Sequence, residues 1–345
     1  MKTLALLFVA TIATAQPFTV GTASAARGEK AYGAIEVPAG SDAALTIPVF
    51  VANGTKPGPV LALVSGLHGT EYASIIALER VIARIDPAQL SGTVIVVPLV
   101  NVNSFEQKVP HVNPVDRKSM NRFYPGKIDG TQTERASYLI TKEIVDRCDH
   151  LIDLHGGDLD ESLRPYSYWP LTGNTEQDRV SREMALAFGI DHIIISADRP
   201  KDPAASRYLD NTANTRGKPS IAVEAGYAGT TDTDDVELLA DGCFNVMRYF
   251  HMLPGTAAPV QNPVWLENVQ SVASDANGIF YPLVKRGTYV AKGTKIGTLT
   301  DYLGRNTAEF IAPVAGVVTF IRAVPSMTKG ETVASIGVVS APTRP

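Results

Sequence analysis

Cysteine is nearly absent: the 345 residues hold two, Cys148 and Cys243. That count excludes a cysteine-rich metal site and a disulfide framework, and leaves open whether the two pair or stay as buried thiols. A basic stripe is also missing. Lys and Arg total 31 against 35 Asp and Glu, for a net charge of −4 with no long run of like charge. The footprint expected for nucleic acid or an anionic membrane surface is therefore lacking. No repeat of fixed period is evident. No apolar run is long enough to span a bilayer, because the longest, Leu4 to Ala15, falls short of about 20 residues.

What is present starts with that run. Lys2 precedes it, and two small-x-small sites follow, Ala13-Thr14-Ala15 and Ala23-Ser24-Ala25. This is the pattern of a secretory signal peptide over 1–25, with the second site leaving a mature start near Ala26. It predicts a periplasmic or secreted protein with no stable membrane insertion after cleavage. The 345-residue chain is 45% hydrophobic, enough for one large domain and a smaller one.

Residues 30–52 alternate apolar and polar and predict an antiparallel strand pair. From residue 59 short apolar runs without alternation follow, at Val60–Ser65, Val94–Val100, Leu151–Leu154, Ile193–Ile195 and Ile221–Val223. Such runs suit strands covered on both faces. Helical patterns lie among them at Glu71–Ile85, Thr133–Cys148, Glu176–Phe188, Ala204–Thr215 and Asp234–His251. The alternation predicts an α/β fold with a mixed, mostly parallel sheet covered by helices, over residues 26–257. The stretch from Val102 to Thr131 reads as a long polar loop, of the kind usually functional in a compact domain. A Pro/Gly/Ala-rich linker at 253–264 ends the helical rhythm. Short strands punctuated by glycine then predict a small all-β C-terminal domain, 258–345.

His68 and Glu71 stand three residues apart where an apolar strand gives way to a helix, and on a first helical turn they would project to one side. Taken singly, the histidine could bond backbone and the glutamate could complement the helix dipole. A third candidate, His155 in "HLIDLHGGD", ends another buried strand 84 residues after Glu71. Strand carboxyl ends are where α/β folds place ligands. Two imidazoles and one carboxylate, with no thiolate, suit one zinc ion per chain and leave a position open for chemistry. A catalytic zinc needs a proton carrier, and Glu224, after the apolar run in "GKPSIAVEAG", is the candidate general base and acid. In the long loop, Asn121 and Arg122 offer an amide and a guanidinium fork suited to a substrate carboxylate, although a solvated loop arginine has the same appearance in sequence.

His68-Gly-Thr-Glu71, Asn121-Arg122-Phe-Tyr-Pro-Gly126, Asp153-Leu-His155 and Glu224-Ala-Gly226 together resemble the ordered motifs of the succinylglutamate desuccinylase/aspartoacylase family, in the zinc-carboxypeptidase superfamily. The resemblance implies a zinc-carboxypeptidase-like fold. It also implies a zinc held by His68, Glu71 and His155, a substrate carboxylate held by Asn121 and Arg122, and water activation by Glu224. Residues 278–321 are similar to the lipoyl-like β-domain that follows such catalytic domains. The expected carrier lysine is absent from the turn Leu303-Gly304-Arg305-Asn306-Thr307, so rimming the active-site mouth is the better use. Relatives read Leu-Asn-Arg-x-Phe-Pro-Gly where this chain has Met120 and Phe123-Tyr124-Pro125. Many also carry an upstream arginine that polarises the scissile carbonyl; here Lys108, His111 and Arg117 are the candidates. The resulting expectation is an exported zinc hydrolase cleaving an amide next to a carboxylate, a deacylase of N-acyl amino acids. The alternatives are a carboxypeptidase on peptides or peptidoglycan stems and, in another class, a binding protein without catalysis. The partner in either enzyme reading is a small molecule or short peptide with a free carboxylate.

Overall fold

A computed structural model describes residues 16–340. In chain order its strands and helices begin with β1 (Phe18–Val20), β2 (Ala23–Ala25), β3 (Glu29–Val37), β4 (Leu45–Asn53), β5 (Lys56–Ser65), α1 (Tyr72–Arg84), β6 (Ser91–Val97), α2 (Val102–Gln107) and α3 (Gln132–Glu143). They continue with β7 (His150–His155), β8 (Glu161–Pro170), α4 (Thr175–Phe188), β9 (His192–Ser196), α5 (Leu209–Asn214), β10 (Ser220–Tyr227) and α6 (Thr233–Tyr249). The C-terminal region is all β: β11 (Val264–Ala273), β12 (Gly278–Pro282), β13 (Tyr289–Val290), β14 (Lys295–Thr300), β15 (Asn306–Ile311), β16 (Gly316–Arg322), β17 (Ser326–Met327) and β18 (Thr332–Ser340).

One sheet of twelve strands runs in the order β13-β16-β18-β11-β9-β8-β10-β7-β5-β6-β4-β3. Its centre, β6-β5-β7-β10, is parallel, as the unalternating apolar runs predict. The sheet as a whole is mixed rather than mostly parallel, because β8 enters antiparallel to β10 and the flanks are antiparallel. β8 was not evident in the sequence: Pro165, Glu161 and Arg164 break its apolar character. The C-terminal β region joins the same sheet, since β11 pairs parallel with β9. β16 pairs with both β18 and β8, closing a ring of strands β8-β9-β11-β18-β16. The remaining C-terminal strands form a four-stranded sheet, β15-β14-β12-β17.

The two faces of the central strands bury different residues, as a period of two requires. Leu61, Leu63, Ile152, Leu154, Ile221 and Val223 pack against α1, α4 and α6. Ala62, Val64, Ile95, Val97 and Leu151 pack against α3 and α5. The hairpin β1–β2 belongs to this second core through Val20, Ala23 and Ala25, all fully buried. Most of the expected leader, residues 1–15, lies outside the described residues, whereas the second small-x-small site is β2 itself. Helix α3 starts with a capping box between Thr131 and Glu134. Cys148 and Cys243 are free, buried thiols in opposite cores, and burial pushes the Cys148 thiol up to about 12. Among the described residues no helix is long and apolar enough to cross a membrane.

Candidate metal centre and active site

β5, β7 and β10 are parallel neighbours, so their carboxyl ends open on one edge of the sheet. His68 follows β5, His155 closes β7, and Glu224 on β10 is in register with His155. His68 and Glu71 are not on the helix proper. They occupy the turn before α1, where Glu71 is the N-cap and its N–H donates to the His68 carbonyl at 3.3 Å. Close approach makes this turn possible: a Cβ on Gly69 would lie 2.3 Å from the main-chain N of Phe105.

His68, Glu71 and His155 each offer one donor atom, and these atoms lie within 4.8 Å of one another. His155 Nδ1 is 2.9 Å from Glu71 Oε2, which also accepts from the Gly156 N–H at 3.1 Å. His155 Nε2 lies 3.2 Å from Asp153 Oδ1, a buried carboxylate two residues back on the same strand. His68 Nδ1 is 3.0 Å from the carbonyl oxygen of His111. A neutral His68 donating from Nδ1 keeps its lone pair on Nε2. In His155, Nδ1 faces Glu71, while Nε2 faces Asp153 and the Asn121 amide. The partners behind the rings are those that fix metal-binding histidines.

Electrostatics follow from burial and crowding. Burial lowers the His68 pKa well below the ordinary histidine value, and His155, His111 and Arg122 push the same way. Burial would also lower His155, but Asp153, Glu71 and Glu224 outweigh it and hold that ring well above its ordinary value. Burial raises the Glu71 carboxyl, against the pull of His155. Glu224 is raised well above the usual range by burial; His155 opposes this, while Glu71, Glu161 and Asp153 add to it. Glu224 is half-buried, and among the described residues its carboxyl has neither a hydrogen bond nor an ion pair.

Arg122 is exposed, has no carboxylate partner among the described residues, and stacks on Tyr208 with its guanidinium carbon 4.8 Å from the ring centre. Arg199 lies 4.3 Å over the same ring. One Arg122 N–H donates to the Asn121 carbonyl at 2.6 Å. The Asn121 amide is engaged within the protein: Oδ1 accepts from the Leu209 N–H at 2.9 Å, and Nδ2 lies 3.1 Å from His155 Nε2. Of the three candidate cations upstream, Lys108 and Arg117 are exposed. His111 alone among them has its ring beside the cluster, 6.4 Å from that of His68 between centres.

Asp158 was missed in the sequence. It is fully buried and accepts from the Thr70 hydroxyl at 2.5 Å, the His111 N–H at 2.9 Å and the Leu159 N–H at 2.7 Å. It thereby ties the His68–Glu71 turn to the loop carrying His111. Its only signal was its place directly after His155-Gly-Gly.

A family model described as the succinylglutamate desuccinylase/aspartoacylase catalytic domain matches residues 57–250. The N-alpha-acetyl-L-2,4-diaminobutyric acid deacetylase of Halomonas elongata is 28% identical over 318 residues, covering 89% of this chain and 91% of that protein. Among solved structures, a succinylglutamate desuccinylase/aspartoacylase from Rhodobacter sphaeroides superposes with a TM-score of 0.80 at 22% identity, over 91% of this chain and 96% of that one. The product-bound ectoine utilization protein EutE (DoeB) from Ruegeria pomeroyi gives 0.81 at 23% identity, over 90% and 95%. At these identities the superpositions speak to the fold.

Proposed function

This chain belongs to the succinylglutamate desuccinylase/aspartoacylase family, and on that premise we propose that it is a zinc-dependent deacylase of N-acyl amino acids. The observation that carries the proposal is the convergence of donor atoms from His68, Glu71 and His155 within 4.8 Å. The donor set fits zinc: two imidazoles and a carboxylate, with no thiolate and no cage of oxygens. The close approach of Asp153 to the His155 ring and of the His111 carbonyl to the His68 ring fits as well. When bound, zinc supplies a Lewis acid for the amide carbonyl and lowers the pKa of water.

The chain's own groups do the rest. Glu224 accepts a proton from the attacking water and returns it to the leaving nitrogen. The amide C–N bond breaks, giving a carboxylate and a free amine. A carboxyl raised by burial and by neighbouring acids is suited to holding that proton until the leaving nitrogen takes it. Arg122, a guanidinium without an anionic partner among the described residues, binds the amino acid's carboxylate, and Tyr208 beneath it limits its movement. The Halomonas elongata relative directs the choice of acyl group toward acetyl and of amine toward a small amino acid with its own amino side chain.

Export is proposed from the leader sequence. The burial of Ala23 and Ala25 in β2 favours the upstream site, Ala13-Thr14-Ala15, for its removal.

A panel of N-acetyl amino acids beside short peptides, assayed for the free amine, tests the substrate class. Turnover of the acetylated monomers, abolished by chelator and restored by zinc, is expected. Cleavage of the peptides alone would replace this function with a carboxypeptidase.

A further inference from the structure

We infer that Arg322, on β16 of the C-terminal β region, is a positioning residue for His68, acting through Asp160 and His111. The inference rests on the proposal that His68 is a metal ligand. Arg322 is buried, and two of its nitrogens are fixed on the Thr332 carbonyl at 3.3 and 3.0 Å. That fixes the remaining arm, whose Nη1 donates to Asp160 Oδ2. Strand pairing supports the placement: Arg322 is in register with Glu161 at the start of β8, and the Ala323 N–H donates to the Asp160 carbonyl at 2.9 Å.

The other Asp160 oxygen, Oδ1, lies 2.9 Å from His111 Nε2. His111 sits in the left-handed region with φ 63°, uncommon for a residue with a Cβ. Its N–H is held by Asp158 at 2.9 Å, so ring and main chain are anchored on both sides. The carbonyl so held is the one 3.0 Å from His68 Nδ1. A residue in a sparsely populated conformation persists only where its surroundings hold it there. Asp158 Oδ2 also lies 3.2 Å from the ring Nδ1, so removing Asp160 leaves the ring held from one side only and loosens the carbonyl that sets the His68 tautomer.

The same neighbourhood brings donor atoms of His111, Asp160 and Glu161 close together. A guanidinium already occupies Asp160, which makes the group a structural relay and not a second cation site.

Competition with a fluorescent chelator measures zinc affinity in the full-length protein, with thermal melts alongside. R322M and D160N are each expected to weaken zinc binding roughly tenfold, the lower end for partners behind a ligand. R322K should recover part of the loss. The double variant should lose no more than either single one, since both cut the same chain of contacts. Y289F removes the contact of Tyr289 with His192 (3.2 Å), which also ties the C-terminal region to the rest, and should leave zinc affinity unchanged. D160N keeps the shape of the side chain and decides the matter if R322M does not fold. Wild-type affinity in D160N, or a loss in Y289F equal to that in R322M, overturns the inference alone. A wild-type protein that binds no zinc overturns the metal assignment beneath it.

Discussion

Replacing Glu224 with glutamine separates chemistry from structure. The change keeps the side chain's shape and removes the proton carrier. A positioned general base contributes about 10²–10⁴-fold, or roughly 2.7–5.4 kcal/mol of barrier, so Glu224→Gln should lose turnover by at least two orders of magnitude. Stability should not follow, because the carboxyl has no hydrogen bond or ion pair to forfeit among the described residues. Burial raises its pKa above the ordinary 4.5, with Glu71, Glu161 and Asp153 adding to the shift against His155. For a group raised on folding, the folded state binds the proton more tightly than the unfolded one. Its contribution is then full below the unfolded value and is lost as pH rises through the folded value. Glutamine abolishes that loss. The metal-free variant should therefore match wild type in thermal melts at about pH 4 and equal or exceed it at about pH 8. Initial rates of the zinc-loaded proteins, with zinc content measured on the same samples, complete the test. Turnover within tenfold of wild type with zinc retained would remove Glu224 from the mechanism, and a lower melting temperature at the higher pH would refute the electrostatic reasoning.

Arg122→Ala should lower kcat/KM by roughly two orders of magnitude, the scale of a charge-assisted hydrogen-bonded pair, while Arg122→Lys recovers little because an ammonium lacks the fork. Amidating the substrate carboxylate should harm wild type far more than Arg122→Ala, and equal harm to both would show that the guanidinium is not the anchor. Intact-mass analysis of the exported protein should find a chain beginning at Gln16. A start at Ala26 would remove β1 and β2, including three fully buried core residues, and would contradict a structural role for that hairpin.

Much of the site was legible because the sheet centre follows simple rules. Unalternating apolar runs marked β5, β7 and β10, and parallel neighbours must present their carboxyl ends together. That brought His68, His155 and Glu224 to one edge before any side chain was placed. Helix starts were less certain: the span expected from Glu71 begins at Tyr72, which turns Glu71 from a first-turn residue into a cap. The 204–215 span shrank to Leu209–Asn214, and part of the long polar loop became α2. β8 was hidden by charge and by Pro165, which falls where the β8–β10 register shifts. Contacts behind the ligands were least legible of all. Asp158, Asp160 and Arg322 reach the site through pairings between segments far apart in the chain, and apart from the place of Asp158 after His155-Gly-Gly nothing local in the sequence announces them.

Elemental analysis of dialysed protein tests the central claim most directly, with wild type beside His155→Ala. About one zinc per chain is expected in wild type, removable by chelator together with activity, and almost none in the variant, since two remaining protein ligands fall short of a stable site. A wild-type protein that is active without metal, or a His155→Ala protein that keeps its zinc, would contradict the account.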